Sequence, residues 1–261
     1  MRLIDLSLPL EHNAISEPKT FGDKFGSPAQ ITFFSHKEGA ELYVNTFECT
    51  YDDLPDGLGN GVEVVYGLTH NSTHLDAPWH FAPFSEGKKA KTIDEIPLEW
   101  CYGDCVILDM RHKKKDELIL AKDVEEGLGK IGYTVKPMDI VFFQTGADKL
   151  WGKPEYQTHY PGMTREASEW LIDRGIKVMG VDAYNFDLPF PTQKRIFQET
   201  GDKTVIEPCH YLGRDREYLH IEKLANLGEI PKPFGFKVSC FPIKIKGGSA
   251  GWCRVVALIE D

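Results

Sequence analysis

The chain has 261 residues and a formal net charge of −10, and hydrophobic residues make up 41% of it. An acidic chain of this kind argues against nucleic acid or an anionic membrane as a partner. No stretch reaches the roughly 20 apolar residues of a membrane span, and no signal peptide is visible. The six cysteines are scattered without paired spacing, so we expect reduced thiols and a cytoplasmic location.

The first part of the chain has the pattern of strands separated by Gly, Pro and Asp turns. The expected strands lie at residues 3–8, 31–35, 42–48 and 62–68. The Gly-rich stretch at residues 54–61 predicts a loop.

The later part of the chain predicts alternating strands and helices. The expected strands lie at residues 105–109, 139–144 and 177–181, and a helix is expected at residues 164–174. Thr164 is a suitable N-cap, and Gly175 a suitable stop. If the last two strands pair in parallel, Asp182 lies at the carboxyl end of one of them. There it could face a ligand cleft or serve as a turn carboxylate.

The most informative segment is residues 70–80, which contains three of the nine histidines and an aspartate. Imidazole nitrogen and carboxylate oxygen are common ligands of divalent zinc, manganese and iron. His70, His74 and Asp76 therefore form a candidate ligand set with coordination positions left open, and His80 is left to move protons. The alternative is a group of hydrogen-bonded histidines with Asp76 as a capping residue.

This segment resembles the signature of the metal-dependent cyclase-family hydrolases, which include kynurenine formamidases and isatin hydrolases. The family pattern is His-x-Gly-Thr-His-x-Asp-x-Pro-x-His, and Ser72 stands where the pattern has glycine. Serine tolerates fewer backbone conformations than glycine, so we expect this loop to approach the metal differently. The ligand identities stay the same.

The resemblance extends to a second pair of residues, His210 and Glu222, which lie twelve positions apart. In formamidases of the family such a pair completes a two-metal site, and the resemblance implies that Asp76 and Glu222 bridge to a second ion held also by His210. If only one ion binds, His210 and Glu222 become residues that contact the substrate or support the ligands. The implied fold is mixed α/β, of the β/β/α type, with a central barrel-like sheet and peripheral helices. We expect one domain over residues 1–261, in a homodimer or homotetramer.

The function implied is hydrolysis of a small amide, formamide, lactam or imide by water that a divalent ion activates, with His80 as acid and base. We expect one or two zinc or manganese ions per subunit and a small-molecule substrate. Family formamidases place a tryptophan from the N-terminal region against the substrate. This chain has none there, so Phe21 or Phe25 would take its place. Trp79 could form a pocket wall or pack in the core beside Pro78.

Two alternative functions remain at this stage. A metal-dependent lyase or cyclase would use the same ligands to stabilise an enolate, with His80 removing a carbon-bound proton. A non-catalytic metal-binding protein would need no spare histidine. Among the cysteines, Cys209 could be a nucleophile or a packing residue. Cys101 and Cys105 could form half a zinc knuckle, but no second half lies nearby.

Overall fold

A computed structural model describes residues 1–18 and 28–260 of the chain. Its contacts divide the chain into two compact units. The larger unit is Met1–Leu10, Ile15–Glu17 and Thr69–Asp261, and the smaller is Glu11–Ala14 and Pro18–Leu68. The single domain expected over residues 1–261 stays a prediction. Among the described residues, no helix combines the length and apolar character that crossing a membrane requires.

The described residues form short strands and helices in alternation. The strands are β1 Arg2–Asp5, β2 Gln30–Phe34, β3 Val62–Tyr66, β4 His74–Asp76, β5 Phe84–Ser85, β6 Lys88–Lys89, β7 Tyr102–Asp109, β8 Leu118–Ile119, β9 Ile140–Gln144, β10 Gly162–Met163, β11 Val178–Val181, β12 Leu219–Glu222, β13 Phe236–Ser239, β14 Ala250–Trp252 and β15 Val256–Ile259. The α-helices are α1 His36–Phe47, α2 Pro78–Phe81, α3 Ala121–Ile131, α4 Arg165–Ile172, α5 Phe190–Thr200 and α6 Pro208–Leu212.

The larger unit is built on one mixed sheet of nine strands in the order β1-β15-β13-β7-β9-β11-β12-β4-β14. The four central strands β7, β9, β11 and β12 run parallel to one another. Antiparallel pairs extend the sheet on both sides. The parallel pairing expected between the strands near residues 139–144 and 177–181 is confirmed.

The sheet curls around one of two apolar cores. A single buried cluster includes Ile4 from β1, Phe142 from β9 and Leu75 from β4, which lie far apart in the strand order. These side chains lie on one face of the curled nine-strand sheet, a half-barrel, and the expected barrel-like mixed sheet is confirmed. Adjacent residues of β9, such as Val141, face the second core, because successive side chains point to opposite faces.

Helices cover the second core. Val124 of α3 and Leu171 of α4 are both buried in it. The expected helix near residues 164–174 is confirmed, and it begins where predicted, because the Thr164 hydroxyl accepts a hydrogen bond from the Ala167 N–H. The expected mixed α/β fold with peripheral helices is therefore confirmed.

The smaller unit contains the antiparallel pair β2–β3 and helix α1. The strand expected at residues 42–48 is wrong, because His36–Phe47 is one continuous helix. The residues after position 41 are rich in β-formers, but a capping box outweighs that local preference. The Ser35 hydroxyl accepts from the Glu38 N–H, and the Glu38 carboxylate accepts from the Ser35 N–H at 2.7 Å.

Candidate metal centre

The site begins with the register of two strands. In the antiparallel pair β4–β12, Asp76 lies opposite His220 and His74 lies opposite Glu222. Side chains directly opposite each other point to the same face, so the four polar groups meet there. Between them Leu75, opposite Ile221, points into the apolar core. The alternation of polar and apolar residues therefore anchors the strands and presents the polar groups together.

The described structure brings His70 and His74 against one oxygen of Asp76. The distance to Asp76 Oδ1 is 2.9 Å from His70 Nδ1 and 3.4 Å from His74 Nε2. The other ring nitrogens have partners elsewhere. His74 Nδ1 lies 2.8 Å from the Ser72 carbonyl oxygen, and His70 Nε2 lies 3.0 Å from Ser249 Oγ. A ring nitrogen that donates to a carbonyl leaves the opposite nitrogen with a free lone pair.

Two atoms of this cluster fit a cation and make no hydrogen bond with the described residues. His74 Nε2 and Asp76 Oδ1 are fully buried, and neither has a hydrogen-bond partner among the described residues. Buried polar atoms are almost always paired, so two electron-rich atoms left side by side need an explanation. A metal ion between them satisfies both, and the donor set suits zinc or manganese.

The other oxygen of Asp76 belongs to a second group of side chains. His220 Nε2 lies 2.9 Å from Asp76 Oδ2 and 3.7 Å from Glu222 Oε1, which is also 3.7 Å from His210 Nε2. The four side chains together could hold a metal ion. Burial, and then the neighbouring Asp76 carboxylate, raise the pKa of Glu222 to about 8. The shift therefore reflects chiefly the burial of Glu222, to which the nearby Asp76 carboxylate adds.

His80 lies at the edge of both groups. Its Nε2 is 4.0 Å from Asp76 Oδ2, and its ring centroid is 4.1 Å from that of His70. The His80 side chain is 30% exposed, whereas His74 and Asp76 are fully buried. Burial lowers the pKa of His80, the Asp76 carboxylate opposes that shift, and nearby imidazoles add to it. The ring is therefore neutral at neutral pH.

Three residues near the site were not predicted from the sequence. His220 is fully buried at its centre, and Asp187 and Glu207 lie 2.6 and 3.1 Å from His210 Nδ1. The sequence did hold a signal for His220, which lies two residues before Glu222. In a strand, residues two positions apart lie on the same face, so His220 would lie beside Glu222. Nothing local in the sequence pairs Asp187 with His210. Burial lowers the pKa of His210, but Glu207 and Asp187 outweigh burial and raise that pKa well above its usual value.

A buried ion pair supports the loop that carries the first two histidines. Lys223 Nζ donates to both oxygens of Glu17, at 2.9 and 3.0 Å, and to the His70 carbonyl oxygen at 2.8 Å. The carboxylate of Glu17 also accepts from the Ser72 N–H at 2.8 Å. The pair therefore holds the backbone on both sides of residue 71.

Ser72, which stands where the family pattern has glycine, has a positive φ. Its φ is 52°, in the left-handed region that favours glycine. The hydroxyl offsets this strain by donating to the Leu8 and Pro9 carbonyl oxygens at 2.8 and 2.9 Å. The loop geometry is therefore kept by hydrogen bonds that a glycine could not make.

The remaining sequence expectations have mixed outcomes. Trp79 is 40% exposed and belongs to neither core cluster, so packing in the core is wrong, and a role as pocket wall stays a prediction. Phe21 and Phe25 lie outside the described residues. Asp182 accepts hydrogen bonds from the Thr145 hydroxyl and from two backbone N–H groups, as a turn carboxylate does.

The cysteines contribute no ligand to the centre. No candidate metal group in the described part of the chain contains a cysteine, so the half zinc knuckle is not supported. Cys209 is fully buried, and burial raises the pKa of its thiol well above the usual value. Its sulfur donates to the Met163 carbonyl oxygen at 3.4 Å, so Cys209 packs rather than attacks.

The fold and the cluster together define an α/β protein with a candidate metal centre in a curled sheet. A family model described as "Putative cyclase" matches residues 4–188. The chain therefore belongs to this cyclase family, and the resemblance noted in its motif is confirmed.

Individual relatives agree with this assignment. Cyclase-like protein 3 of Oryza sativa subsp. japonica is 25% identical over 197 residues, which are 73% of this chain and 63% of that protein. This chain thus spans less than two thirds of the rice protein. Kynurenine formamidase of Erythrobacter litoralis is 25% identical over 191 residues, 72% of each protein. A crystal structure of an isatin hydrolase bound to the product analogue thioisatinate shares the fold. Its TM-score is 0.76 at 21% identity, over 100% of this chain and 93% of that one.

Proposed function

We propose that the chain is a metal-dependent hydrolase that cleaves a C–N bond in a small amide, formamide, lactam or imide. The observation that carries the proposal is the pair of buried atoms without partners, His74 Nε2 and Asp76 Oδ1, beside His70 Nδ1. Both atoms are fully buried, and leaving them without hydrogen bonds costs free energy unless a cation lies beside them.

The three side chains would hold zinc or manganese through defined atoms. His70 would bind through Nδ1 and His74 through Nε2, because Ser249 and the Ser72 carbonyl engage the opposite ring nitrogens. Three protein ligands leave room for water and substrate. The chemistry that a bound divalent cation supplies is acidification of water and polarisation of a carbonyl oxygen.

His80 would move the protons of the reaction. Its neutral ring would accept a proton from the attacking water as the new C–O bond forms. It would return that proton to the nitrogen as the C–N bond breaks, because an amide anion is a poor leaving group. A positioned acid and base of this kind contributes roughly 10²–10⁴-fold to the rate. Its partial exposure leaves His80 accessible to a substrate that enters the site.

The bond type is supported by the relatives. The proteins that this chain is similar to include a kynurenine formamidase and an isatin hydrolase. Both names describe hydrolysis, which favours this reaction over an enolate-forming lyase or cyclase. Trp79, which directly precedes His80 and is 40% exposed, would offer an aromatic wall to the substrate.

The experiment combines His80→Ala with a substrate screen. We expect wild-type protein to hydrolyse at least one member of a panel of formanilides, isatin and cyclic imides. Oxygen from labelled water should appear in the product carboxylate. His80→Ala should keep its metal and lose roughly 10²–10⁴-fold in turnover.

The exposed His112 provides the control, because His112→Ala should change neither quantity. Loss of metal from His80→Ala would make His80 a ligand. A product without solvent oxygen would point to the lyase and contradict the proposed hydrolysis.

A further inference from the structure

We propose that Lys223 and Glu17 are a positioning pair for the hydrolytic ion, because they fix the loop that carries His70 and His74 against the strand β12. The inference rests on the proposed function, since it concerns the ligands of that ion. It assigns to two residues outside the ligand set an effect on metal affinity that is separate from their effect on stability.

The side chain of Lys223 joins two parts of the centre that are far apart in the chain. Lys223 directly follows Glu222, the last residue of β12. Its Nζ donates to the His70 carbonyl oxygen at 2.8 Å and to the two oxygens of Glu17 at 2.9 and 3.0 Å. An ammonium has three N–H groups, so these acceptors use all of them. One side chain therefore connects the strand that carries Glu222 to the loop that carries His70.

The main chain of Lys223 makes a second connection to the same loop. Its φ is 60°, in the left-handed region that residues other than glycine rarely adopt. Its N–H donates to the Ala183 carbonyl oxygen at 3.0 Å, and its carbonyl oxygen accepts from the Thr73 hydroxyl. A strained conformation of this kind persists where the surrounding contacts determine it, and such residues cluster at functional sites. Lys223 thus contacts the loop both at His70 and at Thr73, which directly precedes His74.

Glu17 extends this connection to the second histidine ligand. Its Oε1 accepts from the Ser72 N–H at 2.8 Å. The carbonyl oxygen of the same Ser72 lies 2.8 Å from His74 Nδ1, and this contact leaves His74 Nε2 as the atom that would bind the ion. The backbone of Ser72 therefore links the carboxylate of Glu17 to the imidazole of His74. A change in Glu17 should alter the orientation of that ring.

The charges of the pair balance each other beside the cation site. The side chains of Lys223 and Glu17 are each 3% exposed, and lysine is almost never buried without a partner. The ring of Tyr184, whose centroid is 4.5 Å from Lys223 Nζ, adds a cation–π contact. An ammonium without its carboxylate would repel a divalent ion, since like charges interact strongly in a buried site. Loss of the Glu17 charge should therefore weaken metal binding both through the loop and through this repulsion.

The test measures Zn²⁺ affinity by chelator competition in wild type, Glu17→Gln and Lys223→Met, together with the absorption spectrum of the Co²⁺-loaded proteins. Neither readout depends on turnover. We expect each variant to bind Zn²⁺ about 10–100-fold more weakly, as when a residue that orients a metal ligand is removed. The Co²⁺ absorption bands should shift, because they report the arrangement of the ligands around the ion.

Two further variants make the result specific. The double variant of Glu17→Gln and Lys223→Met buries no unpaired charge, so it should fold. Its Zn²⁺ affinity should fall by about the same 10–100-fold, because the two residues act as a unit. Lys113→Met is the control, since Lys113 pairs with Asp123 of α3 at 2.6 Å and the two side chains are 15% and 16% exposed. The control should lose stability and keep the Zn²⁺ affinity and the Co²⁺ spectrum of wild type.

Urea denaturation of the same samples separates an effect on the metal from an effect on the fold. Lower stability with unchanged Zn²⁺ affinity and Co²⁺ spectrum in Glu17→Gln, or in the double variant if neither single variant folds, would overturn the inference. So would an equal loss of affinity in Lys113→Met. A chain with the expected affinities that hydrolyses no member of the substrate panel would contradict the proposed function and leave this inference standing. A wild-type chain that binds no Zn²⁺ would overturn both.

Discussion

Two buried aspartates of the same sheet have opposite surroundings. Asp182 follows β11, and its oxygens accept from the Thr145 N–H and hydroxyl and from the Gly146 N–H, at 2.5–2.8 Å. Asp76 ends β4, and its oxygens face imidazole nitrogens, with Oδ1 left without a hydrogen-bond partner in the described structure. Both side chains are fully buried. Burial alone therefore does not mark a site; the chemistry of the neighbouring atoms does.

The pKa values of the two carboxyl groups diverge for the same reason. Burial raises the pKa of Asp182 to about 7, although its hydrogen bonds oppose the shift. Burial also raises the pKa of Asp76, but the imidazoles of His80, His70 and His74 outweigh it and bring it well below the ordinary value. Asp182 ties the ends of two parallel strands together, whereas Asp76 is poised to bind positive charge.

Replacing each of the two aspartates with asparagine should give the largest difference in metal binding. Asp76→Asn should weaken metal binding by about 100-fold or more, beyond the loss typical of a supporting residue, and abolish turnover. Asp182→Asn should keep its metal, because the hydrogen bonds of that carboxylate in the described structure come from Thr145 and Gly146. Metal analysis and turnover measure both effects. Equal metal loss in the two variants would break the distinction between them.

The next largest effect should come from the buried ion pair between Lys223 and Glu17, which holds the loop before Asp76. Lys223→Met leaves Glu17 buried without its partner, so we expect a loss of about 3–5 kcal/mol in the free energy of unfolding. Lys237→Met is the control, because its pair with Asp104 is about half exposed. That surface pair should contribute at most about 1 kcal/mol. Urea denaturation measures both, and equal losses would contradict a special role for the buried pair.

A smaller effect is expected from the hydroxyl that orients His70. Ser249→Ala removes the atom 3.0 Å from His70 Nε2. We expect a loss of about 10-fold in metal affinity, at the lower end for a supporting residue. Ser168→Ala is the matched control, since this buried hydroxyl donates to the Thr164 carbonyl oxygen instead. An unchanged affinity in Ser249→Ala would remove the argument that His70 binds through Nδ1.

A further effect concerns the pH dependence of stability at Asp182. Its folded pKa of about 7 lies above the ordinary 3.8, so the folded chain holds the proton more tightly than the unfolded chain. The free energy of unfolding should then fall as pH rises from about 4 to about 7, and Asp182→Asn should lack this component. The stability difference between wild type and variant, measured from about pH 5 to pH 8, reports it. A difference that does not change with pH would show that the hydrogen bonds keep Asp182 ionised.

The sequence revealed the half of the centre that is local in the chain. His70, His74 and Asp76 lie within seven residues, so their spacing alone indicated a ligand set. His210 and Glu222 were found only through the family resemblance, because no short-range pattern links them to Asp76. His220 was missed, since its contact with Asp76 joins residues 144 positions apart and depends on strand register.

Some elements of the fold could likewise be predicted from local sequence, whereas others depend on residues far apart in the chain. The buried strand β9 and the helix α4 carry their own signals, a continuous apolar run and a Thr164 cap. The curl of the sheet is a property of nine strands together, and only the resemblance implied it. At α1 the β-forming residues were misleading, and the Ser35 and Glu38 capping box decided the structure.

The most direct test is metal analysis of the purified protein together with the activity of the same sample. The account predicts at least one zinc or manganese ion per chain, loss of hydrolysis when a chelator removes it, and recovery when the ion is restored. A chain that carries no metal and still hydrolyses its substrate would contradict it.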